Sequence, residues 1–176
     1  MSSSGKNKKS KAECGQSADN TVSIYTDGGA KPNPGKGGYG VVLKCRQKRK
    51  ELSGGYRKTT NNRMEITAAI RGLEALKKPA TVILYTDSRY LVNAMNKGWA
   101  RRWRRNNWMR TREEPALNAD LWARLLKLCD QHNVTFQWVK AHDSCKENNR
   151  CDALASKARR QKNLAIDKGF RRSGSR

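Results

Sequence analysis

The sequence predicts an α/β domain in which helices flank a mixed β-sheet. Two runs of the same pattern, Tyr25-Thr26-Asp27 and Tyr85-Thr86-Asp87, each close a stretch of strand-forming residues, and a segment with helical periodicity lies between them. A strand, a helix and a strand in that order imply a right-handed crossover and parallel pairing. Shorter links between the early strands imply antiparallel hairpins. The sheet should therefore contain both kinds of pairing.

The first half of the domain is predicted to open with a strand over 21–26. A Gly- and Pro-rich loop over 28–38 follows, and it leads to strands over 39–45 and 51–56. A helix is predicted over 64–77, because its apolar residues recur at the spacing of one helical face. Those residues are Ile66, Ala69, Ile70, Leu73 and Leu76.

The second half alternates strands and helices, which favours parallel pairing beside the first strand. Its predicted elements are a strand over 81–86, a helix from Ser88, a basic Trp-rich stretch over 97–112, a helix over 118–131, an alternating strand over 134–139 and a last helix from about Glu147.

Composition points to a polyanionic partner. The 176 residues include 38 Lys and Arg against 15 Asp and Glu, which gives a net charge of +23 and a pI near 10.4. A surface this basic attracts nucleic acid or another polyanion. No segment approaches the roughly 18 apolar residues that a membrane span needs, so we expect no membrane association. The length fits one domain.

The two ends of the chain are predicted to be basic tails. Residues 1–20 contain almost no large apolar side chain, and residues 161–176 are also basic, which leaves the folded domain to 21–160. The N-terminal segment lacks the apolar stretch of a secretory signal, and the five cysteines follow no disulfide spacing. We therefore expect a cytoplasmic protein with free thiols.

Four acidic residues stand beside apolar sequence in this basic chain. Asp27 and Asp87 close the two strands predicted to be parallel, so both should lie at the carboxyl edge of the sheet. Glu65 borders the buried face of the helix over 64–77, and Asp152 adjoins the inner face of the last helix. Carboxylates can serve a polyanion site through Mg²⁺, which prefers hard oxygen ligands.

Each of these acids also has a structural alternative. Asp27 and Asp87 could cap a turn or the following helix. Glu65 could belong to a capping box with Asn62, and Asp152 could interact with the dipole of its helix. The repeated placement of Asp27 and Asp87 favours the metal site over the capping roles.

The segment 35–40 matches the glycine spacing of a dinucleotide-binding turn. A strand follows it, however, where that turn would require a phosphate-binding helix, so we interpret the segment as a loop. There is no Walker A sequence, and no Ser or Cys elbow accompanies the two histidines. Nucleotide binding of these kinds and a hydrolase triad are therefore excluded.

Several motifs in order, over about residues 21–160, resemble the type 1 ribonuclease H family of the bacterial kind. They are Tyr25-Thr26-Asp27-Gly28-Gly29, Asn33-Pro34-Gly35, Thr59-Thr60-Asn61-Asn62-Arg63-Met64-Glu65, Tyr85-Thr86-Asp87-Ser88, Asp120-Leu121-Trp122, Trp138-Val139-Lys140-Ala141-His142 and Asn148-Asn149-Arg150-Cys151-Asp152. The resemblance implies a five-stranded mixed sheet, with three antiparallel strands and then two parallel ones. It also implies hydrolysis of the RNA strand of an RNA/DNA hybrid, leaving 3′-hydroxyl and 5′-phosphate ends.

The resemblance gives catalytic roles to five residues. Asp27, Glu65, Asp87 and Asp152 match the four metal-binding carboxylates of the family, which hold two Mg²⁺ ions, with Mn²⁺ able to substitute. His142 matches a mobile histidine that assists proton transfer or product release. The alternative for His142 is a solvated surface residue.

The resemblance also implies a substrate surface. Asn33 and Asn61 match residues that read the minor groove, where the 2′-hydroxyl distinguishes RNA from DNA; the alternative for Asn61 is helix capping. Two positions depart from the family pattern: Gly29 stands where Ser is commoner, and Arg89 stands where many relatives have an uncharged residue. We expect Arg89 to contact the substrate. The stretch 97–112 resembles a basic protrusion, whose tryptophans should pack while its arginines follow the phosphates of the DNA strand. The arginines assigned to substrate binding are Arg101, Arg102, Arg104 and Arg105.

We therefore predict a monomeric, Mg²⁺-dependent endonuclease whose partner is an RNA/DNA hybrid. Two alternatives compete with this prediction. One is a noncatalytic nucleic-acid-binding protein in which the acids are caps, and the other is a transposase- or integrase-like nuclease of the same fold.

Overall fold

The computed structural model describes residues 20–141 and 144–170. Within them lie five strands and five helices: β1 (Val22–Ala30), β2 (Gly35–Cys45), β3 (Lys48–Thr59), α1 (Asn61–Glu74), β4 (Thr81–Thr86), α2 (Arg89–Asn96), α3 (Trp99–Arg105), α4 (Ala119–Gln131), β5 (Asn133–Trp138) and α5 (Lys146–Arg159).

The strands form one mixed sheet in the order β3-β2-β1-β4-β5. β1 pairs antiparallel with β2, and β2 pairs antiparallel with β3. β4 pairs parallel with β1 and with β5, because α1 carries the chain back before β4 and α2 to α4 carry it back before β5. The α/β class, the five strands and the change from antiparallel to parallel pairing are all confirmed.

Helices cover both faces of the sheet. Alternate residues of each strand point to opposite faces, so Ile24 and Leu84 join a large core with α1 to α4, whereas Tyr25 and Tyr85 face α5. The two tyrosine rings stack with their centroids 4.7 Å apart. The smaller core, on the α5 side of the sheet, therefore lies close to Asp27 and Asp87, which come two residues after these tyrosines.

The glycine-rich segment is strand where a loop was predicted. β1 continues to Ala30 and β2 begins at Gly35, so the loop over 28–38 shrinks to a short turn. A Cβ atom on Gly38 would lie 2.2 Å from the backbone oxygen of Ala155, and one on Gly40 would lie 2.2 Å from that of Cys151. The glycines are needed because α5 packs directly on the backbone of β2.

Helix α1 begins earlier than the apolar periodicity predicts. Thr60 is its N-cap, and the Thr60 side chain accepts a hydrogen bond of 3.3 Å from the backbone N–H of Arg63. The helix ends at Glu74, shortly before Pro79, so it spans Asn61–Glu74 where 64–77 was predicted. The shift places Asn61 in its first turn.

The end of the chain differs from the predicted tail. Of the residues 161–176, those up to 170 are described, and they pack back on the domain: Leu164 is 4% exposed, and Ala165 forms a β-bridge with Tyr56. Asp167 bonds to the buried guanidinium of Arg63, with Nε to Oδ2 at 2.7 Å. Leu164 and Asp167 anchor this segment, and neither stands out in a sequence with so many basic residues.

In the described part of the chain, no helix has the length and apolar character to cross a membrane.

Candidate active site

Asp27 and Asp87 occupy matching places on neighbouring strands. The parallel pairing of β1 with β4 ends at Thr26 and Thr86, and each aspartate follows its paired threonine. β1 itself does not end there as predicted, because beyond Asp27 it remains paired with β2. The two carboxylates therefore mark the edge where the parallel part of the sheet stops, which is where ligand sites of α/β proteins form.

Glu65 reaches the same edge because α1 crosses very close to β1. A Cβ atom on Gly28 would lie 2.5 Å from the backbone of Met64 and 2.8 Å from the nitrogen of Glu65, so only glycine permits this approach. The Glu65 carboxylate accepts a hydrogen bond from the hydroxyl of Ser88. The capping alternative for Glu65 fails because Thr60 caps the helix and Glu65 lies a turn further on.

Asp152 is held near β1 by its neighbour Cys151. Cys151 is fully buried, and its Sγ lies 3.2 Å from the backbone oxygen of Tyr25. Asp152 itself is half-buried and lines a cleft together with Asp27. The acid in the first turn of α5 is Glu147, so the helix-dipole alternative for Asp152 is not supported.

The acids at this edge are electrostatically coupled. Burial, followed by the charges of Asp87 and Asp152, raises the pKa of Asp27 to about 7, although the backbone N–H of Gly28 donates to its carboxylate at 2.7 Å. Burial also raises the pKa of Glu65 to about 7; the Ser88 hydrogen bond opposes this shift, and Asp87 adds to it. The fold therefore concentrates negative charge at one point of a very basic protein, where a cation would relieve the repulsion.

The donor set suits a hard cation although it is not a closed cage. Among the described residues, no three side chains of His, Cys, Asp or Glu lie close enough to enclose a metal ion. Mg²⁺ needs only one or two carboxylates, because water and substrate phosphate complete its shell. Asn148, one helical turn before Asp152, is 2% exposed, and its Oδ1 has no hydrogen-bond partner in the described part of the chain. Such an oxygen is suited to bind a water molecule or ion.

Asn33 and Asn61 lie together beside the end of β1. Asn33 Oδ1 accepts from the backbone N–H of Asn61 at 3.2 Å, and Asn61 Oδ1 accepts from the backbone N–H of Ala30 at 2.7 Å. Thr60, not Asn61, is the N-cap of α1, so the capping alternative for Asn61 is wrong. The oxygens of both amides are engaged, which leaves their NH₂ groups as donors for a ligand.

Arg89 stands at the other side of the same edge. Its guanidinium carbon lies 4.3 Å from the ring centroid of Trp138, a cation–π arrangement. The indole N–H of Trp138 donates to the backbone oxygen of Asp87 at 3.1 Å. Trp138 and Ser88 thus support the site, although the sequence predicts a role for neither. Ser88 could have been found as the N-cap of α2, whereas nothing local signals Trp138.

The arginines of α3 belong to a separate surface. Trp103 is 8% exposed and packs edge-on against Trp122, while all four predicted arginines are exposed. Arg101 and Arg104 pair with Asp130 at 3.4 and 2.8 Å. Arg102 and Arg105 form no ion pair with a described acid. His142 lies outside the described residues.

Comparison with known proteins agrees with this arrangement. A family model described as RNase H matches residues 19–160. The ribonuclease H of Syntrophus aciditrophicus (strain SB) is 61% identical over 149 residues, which cover 85% of this chain and 86% of the relative. The chain belongs to the type 1 ribonuclease H family.

Solved ribonucleases H share the fold. LC9-RNase H1, described as a type 1 RNase H with the type 2 active-site motif, matches with a TM-score of 0.70 at 26% identity, over 82% of this chain and 74% of that one. LC11-RNase H1 in complex with RNA/DNA hybrid matches with a TM-score of 0.59 at 25% identity, over 78% of this chain and 95% of that one. This chain is accordingly an enzyme with ribonuclease H activity on RNA/DNA hybrids, and its family implies dependence on a divalent metal ion. Neither the noncatalytic nor the transposase-like alternative is supported.

Proposed function

We propose that this ribonuclease H cleaves the RNA strand internally by two-metal-ion catalysis, leaving 3′-hydroxyl and 5′-phosphate ends. The observation that carries the proposal is the coupling of Asp27 with the other three carboxylates at the edge of the parallel sheet. A site that gathers acids in a chain of net charge +23 is difficult to explain without a bound cation.

In this proposal, Asp27, Glu65, Asp87 and Asp152 hold Mg²⁺, for which Mn²⁺ can substitute. Two bound ions would lower the pKa of an attacking water and stabilise the leaving 3′-oxygen. Ser88 orients Glu65 through its hydroxyl, and Trp138 fixes the backbone of Asp87. These supports keep the carboxylates in place while the substrate is exchanged.

Selection of RNA over DNA rests on the surface beside β1. The NH₂ groups of Asn33 and Asn61 and the partly exposed backbone after Asp27 can bond to 2′-hydroxyl groups and base edges in a shallow minor groove. Arg89 supplies a positive group two residues after Asp87, held against Trp138. The arginines of α3 form a second contact, with the phosphates of the DNA strand.

Three further parts of the proposal come from the sequence. His142 assists proton transfer or product release, the enzyme acts as a monomer, and it works in the cytoplasm. The substrate in this proposal is an RNA/DNA hybrid, the ligand with which LC11-RNase H1 was solved.

A substrate panel tests the proposal. Labelled RNA/DNA hybrid, single-stranded RNA, RNA duplex and DNA duplex are each incubated with Mg²⁺, Mn²⁺ or EDTA, and the product ends are mapped by phosphatase and ligase treatment. We expect cleavage of the hybrid alone, only with a divalent ion, with phosphate at the 5′ ends. Cleavage in EDTA, or equal cleavage of the RNA duplex, would contradict the proposal.

A further inference from the structure

A cleft of about 210 Å³ leads away from Asp27 and Asp152 along α5. Its α5 side consists of Asp152, Ala155, Ser156 and Arg159. The spacing of these residues, three, four and seven positions after the first, places them on one face of the helix. The face therefore begins with a carboxylate at the active site and ends with a guanidinium.

The opposite side of the cleft comes from the end of β1. It consists of Asp27, Gly28, Gly29, Ala30 and Lys31, so it too begins with a carboxylate and ends with a cation. The residues between the charged ends have little or no side chain, apart from the hydroxyl of Ser156. A sugar-phosphate backbone can approach such a floor closely.

No acid in the described ranges 20–141 and 144–170 neutralises the two cations of the cleft. Neither Lys31 nor Arg159 forms an ion pair with a described residue. Arg159 lies seven residues after Asp152, about 10 Å along the helix axis, too far to pair with it. Two like charges on one small cleft repel each other, and an anion between them removes the repulsion.

We propose that Lys31 and Arg159 form a subsite for a backbone phosphate of the RNA strand, a few nucleotides from the bond that is cut. The Ser156 hydroxyl is a third donor to the same phosphate. This inference rests on the proposed function, because the carboxylate end of the cleft fixes the position of the scissile phosphate. The cation end then sets the path of the RNA strand as it leaves the metal site.

Arg159 has a competing structural role that a control can isolate. It lies in the last turn of α5, where a positive charge stabilises the helix dipole. Lys157 lies in the same turn but is exposed and does not line the cleft. Lys36 is likewise exposed, near Lys31 in sequence and outside the cleft. The pair Lys157→Ala and Lys36→Ala therefore matches the pair Arg159→Gln and Lys31→Ala in charge.

The first measurement is the Kd of the full chain for a fluorescent RNA/DNA hybrid in EDTA, over a range of KCl concentrations. The slope of log Kd against log salt should fall by about 1 for each phosphate contact removed, so by about 2 in the Lys31→Ala and Arg159→Gln double variant. The control pair should change the slope by much less. An unchanged slope in the cleft variant, or an equal change in both pairs, would overturn the subsite.

The second measurement locates the phosphate. Hybrids carrying one neutral methylphosphonate in the RNA strand, at successive positions on each side of the cut, are compared by KM in Mg²⁺. One position should raise KM for the unaltered chain and have no effect in the cleft variant. Equal sensitivity at every position in both proteins would refute the subsite even though cleavage continues, whereas loss of hybrid specificity or metal dependence would refute the proposed function. Arg159→Gln keeps most of the aliphatic stem, and a Tm within a few degrees of that of the unaltered chain confirms folding.

Discussion

At the scale of single residues, two acids of the candidate active site carry a cost in stability that the proposed metal binding would explain. Asp27 and Glu65 are both half-buried beside other acids, and the pKa of each is raised to about 7. A buried carboxylate is tolerated only when a strong interaction compensates for its desolvation. Under the proposed function, a bound cation compensates for the desolvation of these carboxylates and for the repulsion between them.

Asp27→Asn should abolish cleavage, leave hybrid binding measurable and raise Tm in the absence of divalent ions. The amide keeps the shape of the side chain but removes a ligand charge and its repulsion with Asp87 and Asp152. Because the folded-state pKa is raised from 3.8 to about 7, ionisation of Asp27 lowers stability as the pH rises through that range. The Tm of the variant should therefore exceed that of the unaltered chain most clearly above pH 7. Each kcal/mol of added stability raises Tm by roughly 2–4 °C.

Differential scanning calorimetry in EDTA from pH 4 to 8, with a hybrid-cleavage assay in Mg²⁺, measures both effects. Near-normal turnover at saturating Mg²⁺ would remove Asp27 from the catalytic site. A Tm advantage that shrinks as the pH rises would contradict the electrostatic explanation.

His142→Ala should lower kcat with little change in KM. General acid–base assistance typically contributes about 10²- to 10⁴-fold, and a group that acts during turnover need not contribute to binding. Steady-state kinetics on a hybrid from pH 6 to 9 measure the effect, with His132→Ala as the matched control, because His132 lies at the end of α4. A kcat equal to that of the control across this range would show that His142 is only a surface residue.

At the scale of elements, the site depends on how closely two helices approach the sheet. Gly28 lets α1 cross β1, and Gly38 and Gly40 let α5 lie on β2. Glu65 and Asp152 reach Asp27 through these approaches. The same glycines that resemble a nucleotide-binding pattern in sequence thus serve helix–sheet packing.

Gly40→Ala should reduce both stability and cleavage. The new Cβ would lie 2.2 Å from the backbone oxygen of Cys151, so α5 must move and carry Asp152 with it. Overpacking of this kind costs about 1–3 kcal/mol. Gly29→Ala is the matched control for stability, since its Cβ would meet only Asn61 Oδ1 at 3.6 Å. Urea denaturation measures the difference, and equal stability of the two variants would mean that α5 is not held at this distance by Gly40.

The four arginines of α3 should contribute unequally to substrate binding. Arg102→Ala with Arg105→Ala should lower the slope of log KM against log salt by about 2, because neither residue forms an ion pair with an acid in the described part of the chain. Arg101→Ala with Arg104→Ala should change it less, since these residues already pair with Asp130. KM for a long hybrid is measured against KCl concentration. If neither double variant alters the slope, α3 is a solvated surface and the DNA strand binds elsewhere.

At the scale of the whole molecule, the C-terminal segment fastens the domain. The Arg63 side chain is buried, with 3% exposure. It donates hydrogen bonds to Asp120 in the first turn of α4 and to Asp167 in the segment after α5. Thr59 also donates to Asp167, at 2.7 Å. The Arg63 guanidinium therefore joins the start of α1, the start of α4 and the segment after α5. Arg63 lies only two residues before Glu65.

Asp167→Asn should destabilise the protein at neutral pH, by about 1.5–3 kcal/mol. Burial tends to raise the pKa of Asp167, but hydrogen bonds from Arg63 and Thr59 lower it below 3.8 overall. The stabilisation is therefore complete above about pH 4 and is lost as the pH falls through the lower folded-state pKa. Denaturation measured at pH 7 and at pH 2.5 should show a smaller difference in stability between the variant and the unaltered chain at the lower pH.

Asp130→Asn is the control for Asp167→Asn, because Asp130 pairs with arginines in an exposed position, where such pairs contribute little. A chain ending at residue 163 should be destabilised further, since it also lacks the buried Leu164. If truncation at 163 leaves stability unchanged, the segment is a tail after all.

The sequence by itself determined the class of fold, the boundaries of β4 and the meeting of Asp27 with Asp87. Strand period, helical period and the order of elements are local properties, and the handedness of the crossover then leaves one arrangement of β1 beside β4. The same logic, with the resemblance to ribonuclease H, nominated the residues that the structure brings to Asp27.

Only the tertiary structure decided the features that join residues remote in sequence. The glycine segment is strand because it pairs with β1 and β3, and its glycines let α5 pack on that strand. Trp138 supports Asp87 across 51 residues of chain. Arg63 binds Asp167 across 104 residues, so part of the segment predicted to be a tail is held against the domain. No local pattern encodes such contacts, because their energy comes from burial and pairing that exist only once the chain has folded.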